Sequence, residues 1–521
     1  MPELIWDAKY QGGKRAGPVR IELPFQTVET VNESAQDRQR SLDLFASGRD
    51  AEWRNRLVWG DKKYVLPSLL PEFAGRVNLI YIDPPFDTGA DFSFTAKIPD
   101  YPEGLDDEGV TFTKVPSILE QKAYRDTWGV SKEDRQRGVT HVDRYLKWFY
   151  ETVVLLHELL AEDGSLYVHI DENMLHYVKV VLDEVFGDTF RNDIVVRSTF
   201  AHADANQYGS VHQDVLFYTK SNDRYQFEPV YVPYEDDYVQ KYYRYQDPDG
   251  RRWLSCSLTG AGASGGQFAW RNILPPPGRH WAYTADKLDE IERSGRIFWT
   301  KNGIPRLKQY LDEMKGAPAS DVWWDKDCQP LLTWTTESLG YPTQKPESLL
   351  SRILQASSEP GGLVADLFCG SGTTLAVAEK LGRRWIGCDL SRFAIHTTRK
   401  RLLDIPNVRP FAIQNLGKYE RQAWQGAQFP NPEDQRAREA AYRNFILDLY
   451  RASPISGRTW LHGTKSGRFV HVGAVDAPVT LADVKAVAAE TWKAVGSGHA
   501  VSQKAAADIL ASISTLSPLN A

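Results

Sequence analysis

The nine residues Asp366-Leu367-Phe368-Cys369-Gly370-Ser371-Gly372-Thr373-Thr374 constrain the chain more than any other stretch. The apolar run Gly362 to Leu367 predicts a strand, and the alanine-rich stretch Thr374 to Leu381 predicts a helix. A glycine turn between them directs backbone N–H groups and the positive end of the helix at whatever occupies the turn. The occupant this favours is an anionic or zwitterionic cofactor group. A second strand, Arg384 to Cys388, leads into Asp389. That is about twenty residues on, where an acid in a doubly wound fold accepts the ribose hydroxyls of a nucleoside.

Glycine turns of this kind also occur as plain architecture, so a second signature is needed. It stands near the other end of the chain: Ile80-Tyr81-Ile82-Asp83-Pro84-Pro85-Phe86. The preceding run, Val77 to Ile82, is apolar and β-branched, as a central parallel strand buried on both faces requires. Strand and helix patterns then alternate. Asn55 to Trp59 reads as a strand, Gly60-Asp61 as a turn with a helical stretch to Leu70, and Asp143 to Leu160 as a helix ended by Asp163-Gly164. Strands at Ser165 to Ile170, Asp193 to Arg197 and Val215 to Thr219 follow, with a helix over Asp171 to Phe186. This alternation predicts a mostly parallel sheet.

The rhythm breaks between 221 and 336, where tyrosines cluster and Gly260 to Gly266 and Pro275-Pro276-Pro277 interrupt the pattern; it resumes from Pro346. Arg251 to Lys315 holds eleven Lys and Arg against six Asp and Glu, in a chain whose net charge is −6. A 521-residue chain with 42% hydrophobic residues has material for two to four domains. No run reaches the length of a membrane span, and MPELIWDAKY lacks the order of a secretory signal, so a soluble cytoplasmic protein is expected. Cys256, Cys328, Cys369 and Cys388 have no metal-ligand spacing, which predicts reduced thiols and no metal site.

Taken together, these motifs resemble the β-class amino DNA methyltransferases that use S-adenosylmethionine, a class similar to the modification subunits of type III restriction systems. The order Asp83-Pro84-Pro85-Phe86, an inserted module, Tyr341-Pro342-Thr343-Gln344-Lys345-Pro346 and the glycine turn carries the resemblance over residues 57 to 415. It implies a Rossmann-like α/β fold, a mostly parallel doubly wound sheet with circularly permuted motif order. The expected divisions are an N-terminal arm with some helix (1–56), a catalytic half (57–220), a target-recognition domain (221–336), a cofactor half (337–415) and a C-terminal extension of unassigned role (416–521).

By the resemblance, Asp83, Pro84, Pro85 and Phe86 are the catalytic motif. Asp366, Phe368, Gly370, Gly372 and Thr373 form the cofactor turn, with Asp389 the ribose acid. Thr343, Gln344, Lys345 and Pro346 cap the methionine end of the cofactor, and Asp61 lies near its adenine ring. The acceptor loop has its own chemical logic. An exocyclic adenine amine is a poor nucleophile because its lone pair is delocalised. The Asp83 carboxylate and the Pro84 carbonyl can accept its two N–H bonds and redirect that lone pair, while Phe86 offers a face for an extruded base. Asp at the first position favours adenine N6, since the cytosine-N4 members usually carry Ser there. Cytosine N4 on the same scaffold, or a DNA-binding subunit without turnover, are the alternatives.

The expected partner is double-stranded DNA, placing the protein with the prokaryotic nucleoid. The resemblance also allows a homodimer and a restriction endonuclease subunit. No Pro-Cys pair, GxxxxGK[ST] loop or deaminase pattern is present, which excludes cytosine-C5 chemistry, a built-in ATP motor and deamination. His141, His157, His169 and His176 read as packing or surface residues. Arg251, Arg252, Arg271, Arg279, Lys301, Arg306 and Lys308 are the candidate DNA contacts of the insertion. The tract from Asp87 to Glu108 holds seven acids and one lysine and reads as a surface loop over Pro99 to Glu108.

Overall fold

The computed structural model describes residues 3–32, 53–86, 94–97, 111–114, 132–199, 208–262, 266–325, 328–332, 335–341 and 343–417, and shorter stretches (440, 443–444, 447, 452–465, 468–473 and 481–495) beyond. Two compact units are present, one of residues 1–228 and 321–521, the other of 229–320.

The larger unit is built on β1 (Gln26–Val31), β2 (Asn55–Trp59), α1 (Lys62–Phe73), β3 (Val77–Ile82), α2 (His141–Leu159), β4 (Leu160–Ile170), α3 (Leu175–Phe186), β5 (Phe190–Arg197) and β6 (His212–Thr219). After the insertion come β7 (Val322–Trp323), α4 (Glu347–Ser357), β8 (Leu363–Asp366), α5 (Thr373–Lys380), β9 (Arg384–Asp389), α6 (Arg392–Leu403) and β10 (Phe411–Asn415). The strands form one ten-stranded sheet in the order β7-β5-β6-β4-β3-β8-β9-β2-β10-β1. From β4 to β10 every pairing is parallel. Antiparallel pairs join β6 to its two neighbours and β1 to β10.

Alternation along β3 divides the core in two. Ile80 and Ile82 pack with residues of α1, α2 and α3, among them Leu66, Phe149 and Val178. Leu79 and Tyr81 pack with residues of α4, α5 and α6, among them Ile353, Leu375 and Ile395. Each such side chain, buried from both faces, contributes roughly 1.5–3 kcal/mol. The apolar run of β3 from Leu79 to Ile82 is what a central strand between two helical layers demands. The direction of winding reverses between β3 and β8, which lie side by side with Leu79 opposite Val364 and Ile80 opposite Ala365. Their carboxyl ends, Asp83 and Phe368, therefore open on one crevice, where ligands of such sheets bind.

Several local expectations need correction. The described part of the arm carries an edge strand, β1, which the sequence did not signal, because Gln26 to Val31 takes its hydrogen bonds from β10; residues 33–52 of the arm, where helix was expected as well, lie outside the described residues. Asp163-Gly164 does not end α2. The helix stops at Leu159, and Gly164 sits inside β4, where a Cβ would lie 2.9 Å from the Val77 carbonyl. The helix expected from Asp171 starts at Leu175, since the Asp171 carboxylate accepts the Met174 N–H and holds a turn. The loop over Pro99 to Glu108 and the tail after Gly496 lie outside the described residues.

The smaller unit is bounded more tightly than 221–336. The Glu228 N–H donates to the Ala356 carbonyl at 2.7 Å and β7 pairs with β5, so both flanks belong to the larger unit. Inside it, Tyr245–Gln246, Arg252–Ser257, Pro305–Tyr310 and Ile297–Trp299 form an antiparallel sheet in that order. Trp270, Trp281, Leu258 and Leu288 form its core. In the C-terminal extension, a helix spans Leu481–Val495, and Glu490 accepts the N–H groups of Thr459 and Leu461, both at 2.9 Å. No helix among the described residues is long and apolar enough to cross a membrane.

Candidate active site

The glycine turn follows β8. Gly370 and Gly372 both take positive φ, +49° and +76°, and Gly372 is the left-handed residue that starts α5. Space requires glycine at the second of these, because a Cβ there would fall 2.6 Å from Thr398. The turn's N–H groups are less available than its sequence implies. Phe368 donates to Asp366 Oδ1 at 3.0 Å, Cys369 to the Cys388 carbonyl at 3.0 Å, Gly370 to Asp389 Oδ2 at 3.0 Å and Gly372 to the Cys369 carbonyl at 2.6 Å. The acids at the ends of β8 and β9 thus hold the turn from within.

Asp366 is buried and also accepts the Thr374 hydroxyl at 2.5 Å. Burial first, and then the nearby carboxylates of Asp83 and Asp389, push its carboxyl up to about 7 against those two hydrogen bonds. Asp389 accepts the Ser391 N–H at 2.8 Å on one oxygen and that of Gly370 on the other. A carboxylate offers about four acceptor sites in all. Beside it, the Gly60 N–H donates to the Asp389 carbonyl at 3.1 Å, bringing in the turn that carries Asp61. The Asp61 carboxylate caps α1 by accepting the Lys63 N–H at 2.9 Å. Phe368 lies under the buried Lys62 ammonium, 4.0 Å from its ring centroid, and edge-on to Trp148.

Asp83 stands at the end of β3 with its side chain about one-fifth exposed, 3.4 Å from Lys345 Nζ. Burial raises its carboxyl above the ordinary range, and Lys345 opposes the rise. The same ammonium lies 5.5 Å from the Phe86 ring. Through its backbone carbonyl Lys345 also accepts the Thr373 hydroxyl at 3.2 Å, and Arg401 donates to that hydroxyl at 2.8 Å. One lysine therefore connects the Asp-Pro-Pro-Phe loop with the first turn of α5. Thr343, Gln344, Lys345 and Pro346 line a cavity of about 430 Å³ with His169, Gln213, Arg197 and Tyr341. Thr343 takes φ +60°, and Gln344 is held by the Leu339 N–H and the Glu337 carbonyl, each at 2.9 Å.

The structure so gathers Asp83, Phe86, Lys345, Thr373, Gly370, Asp366 and Asp389 at the carboxyl ends of three adjacent strands. Lys62, Gln213, His169 and Arg401 share the site without a sequence signal of their own. Among the described residues no cluster of His, Cys, Asp and Glu could hold a metal ion.

The basic residues of the smaller unit are largely engaged within it. Arg251 pairs with Asp312 and Glu313, Arg271 with Asp289 and Glu292, and Lys308 with Asp247. Arg279 donates to Thr259 and Arg306 to Ser255. Arg252 and Lys301 are exposed and have no side-chain partner among the described residues.

Known proteins resemble this chain over the segment that carries these residues. The family model N6_N4_Mtase, described as DNA methylase, matches residues 77–400. The type II methyltransferase M.EcaI of Enterobacter cloacae is 34% identical over 353 residues, 67% of this chain and 69% of that protein. The StyLTI Mod subunit, of a type III restriction-modification enzyme of Salmonella typhimurium, is 27% identical over 66% of this chain, which spans only 53% of that subunit. The solved M1.HpyAVI–SAM complex is 13% identical and covers 67% of this chain and 100% of that one, with a TM-score of 0.33.

Proposed function

This chain belongs to the N6/N4 DNA methylase family, and from that premise we propose that it methylates the N6 amine of an adenine turned out of duplex DNA, with S-adenosylmethionine as donor. The observation that carries the reading is the placement of Asp83 beside the glycine turn, on neighbouring parallel strands with Lys345 touching both. The residues present fit the donor: Asp389 presents a carboxylate to ribose hydroxyls at the end of β9, and Thr343 to Pro346 stand over the adjoining cavity. When bound, S-adenosylmethionine supplies an activated methyl group. Asp83 accepts one amine N–H and the Pro84 carbonyl the other, aiming the nitrogen lone pair. Phe86 presents a face for the base. Catalysis is positional and electrostatic, without a covalent enzyme intermediate.

Asp at the first position of the loop supports adenine over cytosine. Duplex DNA is the partner proposed for the smaller unit, with Arg252 and Lys301 as its phosphate contacts. Similarity to a Mod subunit supports an endonuclease subunit or a second copy as further proposed partners. Base-resolved methylation mapping of DNA from a methylation-free host expressing this chain tests the reading. Methyl groups on adenine N6 in one short context are expected. Cytosine N4 would overturn the base assignment and keep the mechanism; unmodified DNA with cofactor-binding protein present would overturn the enzyme.

Asp389→Ala tests the cofactor assignment. Losing hydrogen bonds to a charged group is expected to weaken cofactor binding by about 1–3 kcal/mol. Because Asp389 also holds the Gly370 and Ser391 N–H groups, Asp389→Asn, which keeps one acceptor, is expected to lose less. Titration calorimetry reads both, and an unchanged dissociation constant for the alanine variant would remove Asp389 from the site.

A further inference from the structure

Lys345 is held on its far side by a chain of polar groups, the half-buried Gln213 and the buried His169 and Tyr81. Its ammonium donates to Gln213 Oε1 at 3.0 Å, nearer than its 3.4 Å approach to Asp83. The same oxygen lies 2.9 Å from His169 Nε2, and His169 Nδ1 lies 2.9 Å from the Tyr81 hydroxyl. Tyr81 belongs to β3, two residues before Asp83; His169 belongs to β4 and Gln213 to β6.

Donor counting fixes the hydrogens that meet at Gln213. An ammonium only donates, so Gln213 must present its oxygen to Lys345. His169 Nε2 then carries the hydrogen that reaches the same oxygen, and Nδ1 is left to accept from the Tyr81 hydroxyl. This is the neutral imidazole; a protonated ring would instead donate from Nδ1 to the tyrosine oxygen. Burial first, and then the Lys345 charge, hold His169 well below its ordinary range and keep it neutral. Two N–H groups thus converge on one amide oxygen, and each bond polarises the next.

We propose that Tyr81, His169 and Gln213 form a positioning chain that fixes the Lys345 ammonium beside Asp83 and so sets the orientation and charge of that carboxylate. This rests on the reading of Asp83 as acceptor for the target amine. Lysine has a flexible four-carbon stem, and Lys345 borders a cavity of about 430 Å³ into which it can turn. Anchoring is what confines it. Gln213 is the nearer partner, and the looser 3.4 Å approach leaves the Asp83 oxygens open to a substrate N–H while supplying positive charge against the effect of burial. Among the described residues, the titratable groups interacting with Asp83 besides Lys345 are Tyr81 and Asp366, neither of which is positively charged. Without an anchored Lys345, the Asp83 pKa rises and the ionised fraction falls at a given pH.

The test compares wild-type chain with Gln213→Met, His169→Leu, His169→Gln, Tyr81→Phe and Asp83→Ala, measuring kcat, cofactor KM and the pH profile of methyl transfer to DNA. Gln213→Met and His169→Leu are expected to lower kcat on the order of 10- to 100-fold, the scale of a misplaced catalytic group. Cofactor KM should stay within about threefold. The acid limb of the profile should move to higher pH. His169→Gln places an amide donor near the lost Nε2–H and is expected to recover most of kcat, and Tyr81→Phe to show a smaller loss in the same direction. Wild-type kcat and acid limb in Gln213→Met, with Asp83→Ala inactive, would overturn the chain and leave the reading of Asp83 intact. Activity in Asp83→Ala would overturn both. Equal losses in His169→Leu and His169→Gln, with the acid limb unmoved, would reduce the histidine to packing and also overturn the proposal. Should Gln213→Met not melt cooperatively, the His169→Gln and Tyr81→Phe profiles decide.

Discussion

Asp83→Ala is expected to lower the rate of methyl transfer by on the order of 10³-fold, the scale seen when a group that acts on the transition state is removed. Cofactor affinity should change by less than about threefold, because the proposed contacts to the cofactor come from β8, β9 and the Thr343 to Pro346 segment. The substitution is clean for a physical reason. Lys345 keeps its 3.0 Å bond to Gln213 when the carboxylate is gone, so no buried ammonium is stranded. The carboxyl itself is held above its ordinary range by burial, and its loss relieves that cost. The melting temperature should therefore hold. Single-turnover methylation with saturating cofactor separates the two readouts, and a rate within about tenfold of wild type would remove Asp83 from catalysis.

Much of the framework was legible because the strands that build it are buried on both sides. Val77 to Ile82 is apolar apart from Asn78, and its observed bounds match the expected ones. The neighbouring relation of β3 and β8, on which the crevice depends, could be posed from the two motifs but only pairing could establish it. The edge strand β1 was not legible. Gln-Thr-Val-Glu-Thr-Val buries only its last residue well, and its strand character comes from a partner more than 370 residues away. The glycine turn misled in another way. Its sequence speaks for free N–H groups, yet Asp366 and Asp389 accept two of them, so the residues that mark the site also brace it. Gln213 and His169 left no local trace. One is 132 residues from the lysine it holds, and the other reads from sequence like any histidine packed in a strand. In the smaller unit the local excess of positive charge pointed to seven candidate contacts. Five prove to be engaged within the unit, because acids and hydroxyls distant in sequence lie opposite them across its sheet and helix.

Gly372→Ala should produce the largest loss of stability of any single methyl added to the cofactor turn. Two costs combine at this position. A left-handed conformation costs an L-residue roughly 1–2 kcal/mol, and φ here is +76°. The added carbon would also meet Thr398 at 2.6 Å from Cγ2 and 2.7 Å from Oγ1. That side chain is not free to retreat, since its hydroxyl donates to the Gly370 carbonyl at 3.0 Å. Overpacking of this kind typically costs about 1–3 kcal/mol, for a combined loss on the order of 2–5 kcal/mol. Gly382 supplies the control. Its φ is +73° and nothing stands within 4 Å of where a Cβ would lie, so Gly382→Ala should carry the backbone cost alone. A Gly372→Ala/Thr398→Ala pair should likewise recover the overlap but not the strain, at the expense of the Gly370 bond. Urea unfolding of the three variants measures the differences. If Gly372→Ala were no less stable than Gly382→Ala, close packing of the turn against α6 would not be what demands glycine there, and conformational freedom alone would account for it.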